Sequence, residues 1–279
     1  MSVRTATLTA LALLAFAANS LLCRMALKLT PIDAASFTTV RLLSGALVLA
    51  AIVRVRGAPR VVVGNWISAA ALFVYAAGFS FAYAGMSAAT GALLLFGAVQ
   101  MTMLGYGLWR GERIGRWQTV GLLFALGGLL ILLLPGLAPP PPLRAALMIV
   151  AGAAWGVYSL RAKGVSDPTL ATAGNFLRAA ALASLLSIAA LPWANYDATG
   201  IAYAVASGAL ASGLGYVVWY IALQDLTATT AATAQLSVPV IATLGGVMLL
   251  AEPVTWHLLA AAIAVIGGMA LVIGARKSR

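Results

Sequence analysis

Ten long apolar runs, separated by short stretches that hold charges and prolines, organise this sequence. A helix needs about 20 mainly apolar residues to cross the hydrocarbon core of a bilayer. Each run predicts one such helix, and the runs cover residues 5–23, 33–53, 64–86, 89–109, 117–135, 143–162, 169–191, 198–222, 228–250 and 254–275. Prolines fall between the runs or at their ends, except Pro239, which these boundaries place well inside a span. We therefore predict an all-α polytopic membrane protein with ten transmembrane helices.

The composition agrees with a chain that is dissolved in lipid. Of its 279 residues, 63% are hydrophobic and only 8% are charged, whereas an ordinary soluble domain carries about 25% charged residues. The single Cys23 excludes a disulfide framework, and the single His257 leaves few ligands for a metal. We therefore expect no metal site, no cofactor and no catalytic residues.

The positive charges indicate an orientation in the membrane. The formal net charge is +11, but the cations lie in small groups between apolar runs rather than in one patch, so we expect no nucleic-acid partner. One side of the predicted membrane holds 3 of the cations: Arg24, Lys28 and Arg144. The other side holds 12: Arg4, Arg54, Arg56, Arg60, Arg110, Arg113, Arg116, Arg161, Lys163, Arg276, Lys277 and Arg279. By the positive-inside rule, both termini are cytoplasmic, and the expected location is a bacterial inner membrane.

The two halves of the sequence resemble each other. A shift of 137 residues lays Arg24 on Arg161, Pro31 on Pro168, Arg41 on Arg178, Gly78 on Gly215, Phe79 on Tyr216 and Tyr83 on Tyr220. A shift of 140 lays Glu112 on Glu252 and Gly127-Gly128 on Gly267-Gly268. Each half, 1–137 and 138–279, holds five predicted helices. Because five is odd, the second half enters the membrane from the opposite side, which predicts the inverted repeats common in secondary transporters.

The stretch from Tyr220 to Gly268 resembles the second half of EamA-type proteins of the drug/metabolite transporter superfamily. The similarity lies in Pro239, in Glu252 after an alanine, and in Gly267-Gly268. The first half matches the same pattern at Arg24, Pro31, Arg41 and Gly111-Glu112, but Val99 stands where a proline is expected and Phe16 where a tryptophan is frequent. This resemblance implies a transporter with a polar-lined central cavity, and its length and aromatic content are most similar to those of YddG-type amino-acid exporters.

Aromatic and amide side chains within the spans are the candidate ligands of a substrate. Trp155 lies near the middle of helix six, between Gly152 and Gly156, a spacing that lets another helix approach closely. Tyr75, Phe79 and Tyr83 share one face of helix three, and Tyr216 and Tyr220 repeat part of that face on helix eight. The complete set of candidates is Trp155, Tyr75, Phe79, Tyr83, Tyr158, Tyr216, Tyr220, Asn19, Gln100 and Gln235. Ordinary helix packing is the alternative explanation for the aromatic faces of helices three and eight. For Asn19, Tyr158, Gln100 and Gln235 the alternative is an interhelical hydrogen bond.

Charged side chains within the spans are few. Arg41 and Arg178 lie about 12 to 14 Å from the nearer helix end. One interpretation is that each attracts a substrate carboxylate into the cavity. The other is structural: each side chain snorkels, or it pairs with carbonyl groups at a broken helix end. We favour the structural interpretation because the family that the sequence resembles has its basic position near the membrane edge. All six acids fall at span ends or in loops, where Glu112 and Glu252 are predicted to cap the starts of helices five and ten.

These observations predict a transporter that exports amino acids, aromatic or otherwise neutral, or similar small metabolites by alternating access. Because no carboxylate is evident at the middle of the membrane, we expect no proton coupling through a buried acid. The expected partners are the small-molecule substrate and membrane lipid, with the chain acting as a monomer. The alternatives are a multidrug or organic-cation exporter, a polytopic membrane enzyme and a purely structural membrane protein.

Overall fold

A computed structural model describes residues 2–57, 63–111, 115–133, 140–162, 165–226 and 234–274. Within these ranges, ten long helices follow one another and no strand occurs. They are α1 (Val3–Leu29), α2 (Ala34–Val55), α3 (Trp66–Tyr83), α4 (Ala88–Trp109), α5 (Arg116–Leu133), α6 (Pro142–Ala162), α7 (Pro168–Ala189), α8 (Ala198–Gln224), α9 (Ser237–Leu250) and α10 (Trp256–Gly274). The helices α1 to α4 and α6 to α8 are long and apolar enough to cross a membrane.

Short polar side chains determine where most of the helices begin. The residue before the first turn accepts a hydrogen bond from a backbone N–H inside that turn, which otherwise has no partner. The residues that do so are Ser2, Asp33, Asn65, Ser87, Asp167 and Asp197. The acids among them therefore lie at helix starts, as the sequence predicts.

Two helix boundaries differ from the predicted ones, for physical reasons. The helix α1 continues through Arg24 to Leu29, because the charged group of Arg24 bonds to Glu252 after α9 and that of Lys28 bonds to the carbonyl of Leu250 at the end of α9. The helix α9 begins at Ser237, so Pro239 lies in its first turn and not inside a span. A missing N–H costs little there, since the first N–H groups of a helix have no partner within it.

The main contacts between helices recur when each helix is exchanged for the one five places away. The pair α3 and α4 packs on α6, and the pair α8 and α9 packs on α1. The helix α2 packs on α7, α5 packs on α10, and the contact of α2 with α8 matches that of α7 with α3. The order of neighbours is thus the same for the two halves of the chain.

Glycines at two of these crossings bring backbone against backbone. A Cβ at Gly152 of α6 would lie 2.5 Å from the Leu95 carbonyl oxygen of α4. At Gly208 of α8, a Cβ would overlap the carbonyl oxygen of Arg41 in α2. The predicted close-approach face of helix six is confirmed by these contacts, since Gly156 also packs against Thr102 of α4.

The helix α8 is wider in its middle than a normal α-helix. Residues Ala206–Leu214 form π-helical turns, between an α-helical segment at each end. Such turns are rare in proteins, and many of those that occur lie at functional sites. Here they bring Ser207 and Ser212 to face α1 and α2, where both accept or donate hydrogen bonds described below.

The outer surface of the bundle is apolar, with tryptophans near the helix ends. Large exposed side chains such as Leu47, Leu185 and Ile263 lie on lipid-facing positions. Five tryptophans near helix ends are more than half exposed, as expected of an interfacial belt of aromatic side chains: Trp66, Trp109, Trp117, Trp193 and Trp256. This surface suits a multi-pass membrane protein.

The carboxylate of Asp33 joins the start of α2 to the segment before α8. It accepts hydrogen bonds from the backbone N–H groups of Ala35 and Ser36, both at 2.9 Å, and of Asn195 at 2.8 Å. Partial burial opposes ionisation, but these hydrogen bonds outweigh it and hold the pKa of Asp33 below its usual value. The resulting stabilisation is complete above about pH 4, the pKa of unfolded aspartate, and is lost as pH falls through the lowered pKa.

Replacing Asp33 with asparagine should therefore destabilise the protein at pH 7 and not in strong acid. Asparagine caps helices as well as aspartate does, but it cannot present a second carboxylate oxygen to Asn195. We expect a loss of about 1 kcal/mol at pH 7. Thermal unfolding in detergent at pH 7 and at pH 3 would measure it. If the difference in unfolding midpoint between the wild type and Asp33→Asn is larger at pH 3 than at pH 7, the stabilising role assigned to the Asp33 carboxylate is wrong.

Candidate functional site

A small cavity lies at the centre of the bundle, between helices of both halves of the chain. Its walls are large side chains of α1, α3, α4, α6 and α8: Phe16, Asn19, Ser20, Tyr75, Phe79, Leu95, Phe96, Trp155 and Tyr216. The cavity volume is about 10 Å³, which is room for about one water molecule. A molecule larger than water does not fit into the cavity with the side chains in this arrangement.

Trp155 is the centre of the aromatic wall. Its ring centroid lies 4.9 Å from that of Tyr75, 4.8 Å from that of Tyr216 and 6.2 Å from that of Phe16. The rings are tilted or edge-to-face, which is the geometry that aromatic pairs prefer. A ring or an apolar chain that entered here would contact aromatic faces on several sides.

Five of the ten residues predicted to bind substrate meet at this cavity: Trp155, Tyr75, Phe79, Tyr216 and Asn19. The shared face of helix three is confirmed, since the rings of Tyr75, Phe79 and Tyr83 contact one another in turn. The other five predicted residues lie off the cavity wall: Tyr83, Tyr158, Tyr220, Gln100 and Gln235. Of these, Tyr158 still supports the wall, because its ring packs 5.6 Å from that of Trp155.

Four residues of the cavity wall are not among the residues predicted to bind substrate: Phe16, Ser20, Leu95 and Phe96. A signal for two of them was present in the sequence. Phe16 and Ser20 are one helical turn apart and flank Asn19, so all three lie towards one side of α1. Leu95 and Phe96 lie in a uniformly apolar stretch of α4, where nothing in the sequence distinguishes a cavity wall from packing.

A chain of hydrogen bonds surrounds the tyrosine at one side of the cavity. The Tyr75 hydroxyl accepts a bond of 3.1 Å from the amide of Asn19 and another of 3.1 Å from Nη2 of Arg41. Asn19 in turn accepts a 2.7 Å bond from the hydroxyl of Ser207. Nε of Arg41 reaches the hydroxyl of Ser212 at 3.3 Å. The network thus ties α1, α2 and α3 to the π-helical part of α8.

Arg41 does not follow the interpretation that was favoured from the sequence. It is only 1% exposed and bonds to Tyr75 and Ser212, so it neither snorkels nor pairs with backbone carbonyls. Its guanidinium also lies over the rings of Tyr75 and Phe79, at 5.1 and 5.0 Å. The related Arg178 does follow the prediction, because its Nη1 donates to the carbonyls of Val63 and Gly174.

Polar groups without hydrogen-bond partners are concentrated at this site. In the described part of the chain, three buried side-chain atoms have none: Nη1 of Arg41, the hydroxyl of Tyr216 and the hydroxyl of Ser20. Tyr216 and Ser20 line the cavity, and Arg41 is bonded to Tyr75, which lines it too. Buried polar groups normally find partners, so these three atoms remain available to a water molecule or to a polar group of a ligand.

An ion pair lies at the end of the bundle where α1, α3 and α9 end. Nε of Arg24 lies 2.9 Å from Oε1 of Glu252, and Nη1 of Arg24 donates to the Tyr83 carbonyl at 2.9 Å. The second carboxylate oxygen of Glu252 accepts a 2.7 Å bond from the N–H of Ala88, at the start of α4. The prediction that Glu252 caps helix ten is therefore wrong, since it caps α4. Glu112, predicted to cap helix five, lies outside the described residues.

The local chain folds so that the Glu252 side chain turns inwards. Ala251 adopts a left-handed conformation at φ 49°, which ends α9. The N–H of Glu252 then bonds to the Gly246 carbonyl at 3.1 Å. A Cβ on Gly246 would lie 2.9 Å from Oε2 of Glu252, so the glycine leaves space for the carboxylate.

Comparisons with known proteins give a family for the second half of the chain, a relative over its whole length, and a shared fold. Residues 143–274 match the EamA-like transporter family. Uncharacterized protein PA1977 of Pseudomonas aeruginosa is 57% identical to this chain over 277 residues, which are 99% of this chain and 96% of that protein. A solved crystal structure of a protein that is 22% identical shares the fold, with a TM-score of 0.70 over 98% of this chain and 99% of the other.

Proposed function

The second half of the chain is an EamA-like transporter family domain, and from this premise we propose that the protein moves amino acids with aromatic or other neutral side chains out of the cell. The family supports the coarse statement that the protein is a multi-pass membrane transporter of small molecules. One observation supports the proposed substrate class: the central cavity has aromatic walls and a polar side formed by Asn19 and Tyr75. Such a site suits a molecule with one apolar and one polar end.

Alternating access between inverted repeats is the mechanism we propose. The order of helix neighbours is the same for both halves, as expected of two repeats related by a two-fold axis in the membrane plane. The cavity lies between them and is closed to about 10 Å³. In this mechanism, rocking of one half against the other opens the site first to one side and then to the other, with both termini in the cytoplasm and the protein in the inner membrane as a monomer.

We propose further that transport is not coupled to protons through a buried carboxylate. Every acid in the described ranges lies at a helix end: Asp33, Asp167, Asp197, Asp225 and Glu252. None of these lines the cavity. A proton relay within a membrane usually requires an acid or histidine at that depth.

Uptake of a panel of radiolabelled amino acids into liposomes holding the purified protein would test this function. The expected result is equilibration of phenylalanine or other neutral amino acids, equal with and without an imposed proton gradient. Uphill accumulation that a protonophore abolishes would overturn the uncoupled mechanism. A folded preparation that moves no amino acid, but moves an organic cation, would overturn the substrate class.

A further inference from the structure

Resting on the proposed function, we propose that Arg41 is the receptor for a carboxylate group of the transported molecule. The substrate class is then small carboxylates, either zwitterionic or singly anionic, with an apolar or aromatic remainder. Cationic amines without a carboxylate are excluded from the class.

The first step of the argument is charge. Arg41 is buried in a membrane protein, and arginine keeps its proton under all physiological conditions. Its side chain bonds only to the hydroxyls of Tyr75 and Ser212, and Arg24–Glu252 is the only salt bridge among the described residues. A buried cation is costly when no anion compensates it. The site is therefore one that an incoming anion stabilises.

The second step is hydrogen bonding. Nη1 of Arg41 has no partner, although a guanidinium can offer two parallel donors to a carboxylate. The hydroxyl of Tyr216, which lines the cavity, has no partner either. Tyr75 lines the cavity and already accepts two bonds, from Asn19 and from Arg41, so it holds the guanidinium directly behind the lining residues. These unused groups form a site rich in donors, and carboxylates only accept hydrogen bonds.

The third step is the position of the apolar part of the ligand. The Arg41 guanidinium lies over the rings of Tyr75 and Phe79, which are part of the cavity wall. A molecule whose carboxylate reached Arg41 would place its remainder among Trp155, Tyr216 and Phe16. The aromatic faces also spread part of the cationic charge while the site is empty.

A set of three probes of matched size separates the charge requirements. L-phenylalanine has a carboxylate and an amine, 3-phenylpropionate has only the carboxylate, and 2-phenylethylamine has only the amine. Equilibrium binding of each to the purified full chain in detergent can be followed by tryptophan fluorescence, because Trp155 lies in the cavity wall. We expect phenylalanine and phenylpropionate to bind at least tenfold more tightly than phenylethylamine.

Variants of the two arginines test the assignment to Arg41. Arg41→Gln should weaken binding of phenylpropionate at least tenfold, while Arg41→Lys keeps the charge and should recover part of the loss. Arg178→Gln is the matched control, since that arginine bonds to carbonyls away from the cavity, and should bind like the wild type. Phenylpropionate bound with unchanged affinity by a folded Arg41→Gln would overturn the proposal.

If Arg41→Gln does not fold, the affinities of the wild-type protein for the three probes still test the proposal. Phenylethylamine bound as tightly as phenylpropionate overturns it. Because binding is measured without flux, the proposed transport can fail separately. Carboxylate binding that depends on Arg41 without any uptake would keep this inference and reject the transport of amino acids. If Arg41→Gln takes up phenylalanine as fast as the wild type, transport of amino acids is kept and the assignment of Arg41 as the carboxylate receptor is rejected.

Discussion

Glu252→Gln is expected to destabilise the protein by about 3 kcal/mol, because removing one partner of a buried ion pair leaves the other charge uncompensated. Arg24 and Glu252 are 14% and 7% exposed, so water screens the pair little. The glutamine also places an amide where Oε2 accepts from the N–H of Ala88. Arg24 retains its bond to the Tyr83 carbonyl, which keeps the loss at the lower end of the range for buried pairs. Thermal unfolding in detergent would show a clearly lower midpoint.

The matched control is Asp197→Asn, which makes the same acid-to-amide change at an acid that only caps a helix. Asparagine caps equally well, so this variant should unfold like the wild type. The double variant Arg24→Gln/Glu252→Gln should be more stable than the sum of its single changes predicts. A Glu252→Gln protein as stable as the Asp197→Asn control would show that the ion pair contributes nothing.

Trp155→Ala is expected to reduce both transport and stability. Loss of the indole removes the contact between the walls formed by Tyr75, Tyr216 and Phe16, and a buried tryptophan replaced by alanine costs about 3–5 kcal/mol. A substrate that packs on this ring would lose about 1.5–3 kcal/mol of binding, or roughly 10- to 100-fold in affinity. Uptake of labelled phenylalanine at several concentrations would show it.

Two further variants separate binding from folding. Trp155→Phe retains an aromatic face, so it should recover most of the stability and part of the affinity. Trp193→Ala removes a tryptophan that is 76% exposed and should leave both quantities unchanged. If Trp155→Phe and Trp155→Ala transport phenylalanine at the wild-type rate, the cavity at Trp155 is not the substrate site.

The sequence predicts the helices well because the lipid requires long apolar runs and short polar caps. The boundary of α9 differs because a proline in the first turn of a helix cannot be distinguished, by hydropathy alone, from a proline inside a longer one. The end of α1 differs because Arg24 is charged in the sequence but paired in the fold, with a partner 228 residues away. Charge is visible in a sequence, whereas compensation of that charge depends on tertiary contacts.

The same limit applies to the site. The face formed by Tyr75 and Phe79 follows from helical spacing, so it is predictable. The role of Arg41 is not, because a long basic side chain at its depth can extend either to the membrane surface or to the interior. The neighbours decide between these, and for Arg41 they include Ser212, which the π-helical turns of α8 bring within reach. Arg178 has the related position in the second half of the chain, but its side chain bonds to backbone carbonyls instead.

The helix crossings and the cavity wall use different kinds of residue. Backbones touch at Gly152 and Gly208, where no other side chain fits, while the wall consists of large side chains such as Phe16, Leu95 and Phe96. Changes of similar volume in the wall alter the shape of the binding space without moving the backbones that cross. If the cavity is the substrate site, as we propose, single substitutions in its wall change cargo preference while the architecture is kept. A directed-evolution library confined to these three wall positions would sample new cargo while preserving the fold.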